Sequence, residues 1–180
     1  MPTLQRFHAS RALIGILLVG ACSNSPESPL SNPTLADIQG VWVVSYRRVV
    51  TKEATPQIFD TRSFATCSAT TPPPCAIRPL YFVLDSGSQQ YAFATQPPSD
   101  SGYSPLLLGS AVLIQDSLAL GATVIGCCQD AATYGLQAYS SRMHLLRNWT
   151  LGGVDAQRLG FTLPAGTSSL DATEEWWLQR

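Results

Sequence analysis

Five cysteines, two histidines and a pair of adjacent glutamates are the side chains of this 180-residue chain with the clearest capacity for chemistry. Past the first ten residues His144 is the only histidine, so a catalytic triad or a zinc site would have to be built around it alone. A lone histidine inside a run such as Met143-His-Leu-Leu-Arg147 is normally packed or exposed. Glu174 and Glu175 are consecutive, and a strand sends consecutive side chains to opposite faces, so they cannot serve as paired acid and base. The neighbouring thiols Cys127 and Cys128 suggest exchange chemistry or a soft metal. Such thiols need a lowered pKa from a helix start or a cation, and Gly126, Gln129 and Asp130 supply neither. No phosphate-cradling glycine loop or Cys-x-x-Cys pair occurs. These residues therefore predict no catalytic centre, no metal site and no cofactor, and the chain reads as non-enzymatic. With eleven basic against twelve acidic residues and Lys52 as its only lysine, it also offers no basic surface for nucleic acid.

Cys22 has a different chemistry in prospect. Arg6 and Arg11 precede an uncharged apolar run, Ala12 to Ala21, that stops at the cysteine. A charged start and a short apolar segment make a secretion signal, too short to cross a bilayer as a mature helix. Val19-Gly20-Ala21-Cys22 resembles the lipobox of bacterial lipoproteins. That resemblance implies lipid on the Cys22 sulfur, cleavage after Ala21 and acylation of the new amino group, which together anchor a protein stably where one chain would not. Ser23 in place of an aspartate implies the outer membrane, facing the periplasm. The chain then divides into a signal at 1–21, a Ser/Pro/Asn-rich flexible tether at 22–33 and one domain at 34–180. A domain of that size buries about 68–70 % of its unfolded surface, enough for its own core.

Outside the cytosol the four remaining cysteines, Cys67, Cys75, Cys127 and Cys128, are expected to form two disulfides. A bond between neighbours 127 and 128 closes a strained ring. Two bridges from the loop carrying Cys67 and Cys75 to the 127/128 turn are therefore preferred, and the long loops so closed stabilise more. A local ring from Cys67 to Cys75, across Pro72, Pro73 and Pro74, is the competing arrangement.

The elements that would carry these residues are strands. After Gly40 apolar residues recur with period two, beginning with Val41 to Val50, where Trp42, Val44 and Tyr46 share one face. Residues 51–79 lack a pattern and read as a long excursion. Turn residues at 85–88, 116–117 and 152–155 separate further paired runs, the last joining Met143 to Leu151 with Ala156 to Leu163 as a hairpin, and Thr173 to Arg180 forms a final strand. The expected fold is all-β: an antiparallel up-and-down meander of about eight or nine strands, which removes its open edges by closing into a barrel.

Two stretches carry a resemblance to lipocalin-like barrels, of the broad calycin type. Leu35-Ala-Asp-Ile-Gln-Gly40-Val-Trp42 is similar to the Gly-x-Trp opening of their first strand, and Glu175-Trp176-Trp177-Leu178-Gln179-Arg180 to their closing strand. The resemblance implies that Gly40, Trp42 and Arg180 close one end, with Arg180 over the Trp42 indole in a cation–π contact of about 0.5–2 kcal/mol. It further implies a small hydrophobic ligand inside the barrel, for which Tyr46, Tyr91, Phe93 and Trp176 are the candidate contacts, and a membrane partner through the lipid. The alternative is a filled barrel acting through its surface as a structural or protein-binding lipoprotein. The inward side of Gln89 to Thr95 decides: Tyr91 and Phe93 would fill the barrel, Ala92 and Ala94 would leave space.

Overall fold

The period-two pattern closes on itself. The structure is a computed structural model and describes residues 27–123 and 129–180. Its strands are β1 (Gly40–Thr51), β2 (Ile58–Asp60), β3 (Tyr81–Asp85), β4 (Gln90–Ala94), β5 (Pro105–Ile114), β6 (Ser117–Thr123), β7 (Gln129–Ala138), β8 (Arg142–Gly152) and β9 (Ser169–Gln179). Each of β3 to β9 pairs antiparallel with its sequence neighbour, β3 also pairs with the start of β1, and β9 returns to β1. The result is an eight-stranded antiparallel closed barrel. β2 is an extra strand that pairs with Arg48 to Val50, beyond the point where β3 leaves β1.

The two ends differ. At one, the single-turn helix α1 (Leu35–Ile38) is fixed by a capping box in which Thr34 Oγ accepts from the Asp37 N–H and the Asp37 carboxylate accepts the Thr34 N–H at 2.7 Å. Gly40 then takes φ +122, a conformation that L side chains rarely adopt, and turns the chain into β1. The Trp42 indole donates to the Ile38 carbonyl at 2.8 Å. The Arg180 guanidinium lies 4.3 Å from the Trp42 ring centroid and donates to the carbonyls of Asp37 and Gln39. Gly40, Trp42 and Arg180 thus meet at one closed end. Above them Phe82, Leu118, Met143, Leu145 and Leu178 are buried, each contributing about 1.5–3 kcal/mol.

The segment 27–33, the later part of the expected tether, is fastened to this end. The Glu27 carboxylate accepts from Ser140, Ser141 and Arg142, and the Leu30 N–H donates to the Ala138 carbonyl at 2.7 Å. The serine hydrogen bonds, that of Ser140 foremost, lower the pKa of this acid to about 2.

The opposite end is covered from one side. β1, β8 and β9 run past their neighbours, and their tips carry a second apolar cluster of Val49, Phe59, Leu151, Leu159, Phe161 and Leu170. Here the expected hairpin of 143–151 with 156–163 is replaced. β8 pairs directly with β9, ending at Gly152 opposite Ser169, and the chain between them forms the helix α2 (Gly153–Arg158). Ala156 and Leu159, three apart, fall on one helical side and are buried in that cluster. The glycine pair that reads as a hairpin turn is the entry to a helix.

The excursion after β1 is tied by a disulfide between Cys67 and Cys75, with Cα atoms 5.0 Å apart. This is the local ring, and it overturns the preferred bridges to the 127/128 turn. The chain doubles back: the Ala76 N–H donates to the Ala65 carbonyl and the Cys67 N–H to the Ala76 carbonyl, which brings the two thiols together. Cys127 and Cys128, like the lipidation candidate Cys22, lie outside the described residues.

Candidate ligand-binding site

A one-residue irregularity in β1 decides what the barrel encloses. Val44 pairs with Leu178 and Tyr46 with Trp177, so two steps of β1 match one step of β9. A bulge of this kind reverses which side chains face inward beyond it. Trp42 and Val44 point into the barrel, then Arg47, Val49 and Thr51 do. Tyr46, expected on the Trp42 face, is turned outside, where it stacks on Trp177 with centroids 6.1 Å apart and lies under Arg62 at 3.9 Å.

The side chain brought inside is a guanidinium. Arg147 of β8 stands directly opposite Glu174 of β9, and both face the interior with Tyr134 of β7. Arg47 Nε donates to Glu174 Oε1 at 2.6 Å, Arg147 Nε to Glu174 Oε2 at 2.5 Å, and the Tyr134 hydroxyl to Oε2 at 3.2 Å. Glu174 is fully buried, whereas Arg47 and Arg147 retain 23 % and 13 % side-chain exposure. Burial pushes the Glu174 pKa up, but the two guanidiniums outweigh it and hold the group below its usual range, ionised. Tyr134 is shifted the other way, by burial first and by the Glu174 charge second, and stays a protonated donor.

Aromatic faces surround this charged layer. The Arg47 guanidinium is 5.0 Å from the Trp176 ring and 5.8 Å from Trp149, and that of Arg147 is 4.3 Å from Trp149 and 5.0 Å from Tyr134. Phe93 packs on Trp176 at 5.2 Å and on Tyr91 edge to face at 5.9 Å. Between these groups lies a cavity of about 250 Å³, with Asp155 of α2 at its edge. A smaller recess of about 140 Å³ lies across Arg47 and Trp176, roofed by the Cys75–Arg78 stretch of the excursion. The Trp176 indole N–H is buried and has no hydrogen-bond partner among the described residues.

Of the expected ligand contacts, Tyr91, Phe93 and Trp176 line this cavity and Tyr46 does not. Sequence reasoning missed Arg47, Arg147, Tyr134 and Glu174. Alternation carried a signal for Glu174, since it shares the parity of Trp176 and Leu178 on the inward face of β9, and for Arg147, two steps from Leu145. Arg47 had none, because the bulge reverses its parity. Glu175 does point outward, as consecutive strand residues must, and sits 3.4 Å from His144 Nε2, whose ring stacks on Trp177 at 4.1 Å. Among the described residues no group of three or more His, Cys, Asp or Glu is placed to hold a metal.

The layer can hold and orient a polar group. The ionised Glu174 already accepts from three donors. Comparison with protein-family models, with curated proteins and with solved structures finds no match to this chain.

Proposed function

We propose that this chain is a lipid-anchored cell-envelope protein, on the outer membrane and facing the periplasm, whose lipocalin-like barrel is a non-enzymatic binding module for a small ligand. The observation that carries this reading is the aromatic-walled cavity in the half of the barrel away from α1, above a closed half that is filled. Concave sites with aromatic walls and convergent polar groups are where small molecules bind. The anchor fits the same arrangement. Lipid on Cys22 would stand five residues before Glu27, at most about 18 Å of extended chain, and Glu27 is fastened to the closed end. The cavity would then face away from the membrane.

The test has two arms. Mass spectrometry of the protein extracted from its own membranes should give a mass beginning at an acylated Cys22, and Cys22→Ser should abolish it. The neutral fluorescent probe N-phenyl-1-naphthylamine should bind saturably, one per molecule, and Ala132→Phe, which fills the cavity, should remove it. An unprocessed chain, or binding unaffected by the cavity-filling variant, sinks the respective half.

A filled barrel acting through its surface is the second reading, and a specific feature favours it. Tyr91 and Phe93 do point inward, and the outer side of β5 exposes Leu106, Leu108, Val112 and Ile114 in one row. On this reading the neutral probe finds no site inside the barrel.

A further inference from the structure

Given the binding-barrel reading, on which this step rests, we propose that the cavity takes a small organic anion, a carboxylate carried on a flat aromatic body. The carboxylate is held by the terminal nitrogens of Arg47 and Arg147.

Hydrogen-bonding capacity comes first. A guanidinium presents five N–H donors and no acceptor. Each arginine gives Glu174 only its Nε–H, and no other hydrogen bond from either guanidinium occurs among the described residues. The acceptor in the layer, Glu174, is already engaged by both arginines and by Tyr134. Among the described residues the remaining guanidinium N–H groups of Arg47 and Arg147 have no hydrogen-bond partner.

Charge leads to the same conclusion. Among the described side chains the buried part of the layer sets two guanidiniums against one carboxylate, and charges so placed gain from a further partner of opposite sign. The other acid of the cavity wall, Asp155, is 43 % exposed and lies 3.9 Å from Arg158 of its own helix. A carboxylate matches the planar fork of a guanidinium in a way that a point charge does not. A neutral apolar guest would cover these donors and satisfy none, and a cation would be repelled.

Size and shape limit the rest of the molecule. About 250 Å³ is below the range of about 300–1,000 Å³ typical of sites for drug-sized ligands, so the part of the guest held inside is compact and flat. Phe93, Trp149 and Trp176 offer it flat faces.

The experiment is calorimetric titration of the full-length, detergent-solubilised protein with benzoate, benzyl alcohol and benzylammonium, each also tested as a competitor of N-phenyl-1-naphthylamine. Benzoate should bind one to one, at least tenfold more tightly than benzyl alcohol, and benzylammonium should not bind. Arg147→Met should abolish the preference for benzoate. Arg147→Lys, which keeps the charge and loses the fork, should reduce it, and near-ultraviolet circular dichroism should show both variants folded. Equal affinity for benzoate and benzyl alcohol overturns the proposal. So does tighter binding of hexadecanoate than of benzoate, since a long flexible chain lacks the flat aromatic body proposed. Binding of the naphthylamine with no response to benzoate overturns this inference and leaves the binding barrel standing; no binding of any probe removes both.

Discussion

The two halves of the barrel interior are built from the same strands and hold opposite contents. Around α1 the inside is apolar, and the Trp42 indole N–H there is satisfied by Ile38. Half a strand further along the same interior, β1, β8 and β9 contribute Arg47, Arg147 and Glu174 instead of aliphatic side chains. A buried ion pair is weak evidence for stability, because desolvating the charges costs as much as their attraction returns. On the proposed reading this is a division of labour: the closed half holds the fold together, and the charged half serves the ligand.

The largest expected effect tests the closed half. Trp42→Ala removes the largest fully buried side chain together with the partner of Arg180, and urea unfolding should show a loss of about 4–5 kcal/mol. Next comes the charged half. Glu174→Gln leaves two guanidiniums without their acid and should cost about 3 kcal/mol. Replacing all three together, as Arg47→Met, Arg147→Met and Glu174→Leu, should restore wild-type stability or exceed it while ending benzoate binding. If the triple variant is as unstable as the single one, the layer is structural and the contrast between the halves fails. Acid titration sharpens it further. Glu174 is held below its unfolded value of about 4.3, so its contribution is complete above that value and is lost as pH falls through the lower folded one. Below about pH 4 wild-type stability should therefore fall more steeply than that of Glu174→Gln, measured by urea midpoints at successive pH values.

The sequence made these halves unequally legible. Period-two alternation was sufficient for an all-β closed meander, and the resemblance to lipocalin-like barrels pointed to Gly40, Trp42 and Arg180 at one end, where they meet. The charged half depended on register. Ser45 is an extra residue in β1 that no pattern of residue types marks, yet it exchanges Tyr46 for Arg47 inside the barrel. Glu174 and Arg147 had the right parity, but pairing them requires knowing that β8 lies beside β9, and Gly152-Gly153 concealed that by resembling a hairpin turn. Likewise, loop-closure entropy favoured distant cysteine partners, while the backbone bonds around Thr66 and Ala76 brought the near ones together.

The disulfide extends the comparison to the cover over the charged half. Cys75 and its neighbours Ala76 to Arg78 roof the recess beside Arg47 and Trp176. A ring with a sequence separation of 8 is worth about 2.5 kcal/mol by chain entropy, and three prolines already restrict the unfolded chain. Cys67→Ala with Cys75→Ala should thus cost about 1–2 kcal/mol in thermal or urea unfolding. Amide exchange should accelerate at 64–80 and stay unchanged around Trp42. Acceleration at both places would mean that the excursion supports the whole barrel and not its open end alone.

The smallest effect probes whether Arg180 holds the closed end or only covers it. Its guanidinium is solvent-exposed and reaches two carbonyls of the α1 segment as well as the face of Trp42. An exposed cation–π contact is worth about 0.5–1 kcal/mol, and water can replace the arginine at the carbonyls. Arg180→Ala should therefore lower stability by about 1 kcal/mol and alter Trp42 emission, recorded in a background where Trp149, Trp176 and Trp177 are phenylalanine. In a Trp42→Leu background the same substitution should cost clearly less, because the ring it acts through is gone. Equal costs in the two backgrounds would locate the contribution of Arg180 in its bonds to the carbonyls of Asp37, Gln39 and Ser140. The closed end would then be latched through α1, and the tryptophan would act as a plug independent of its lid.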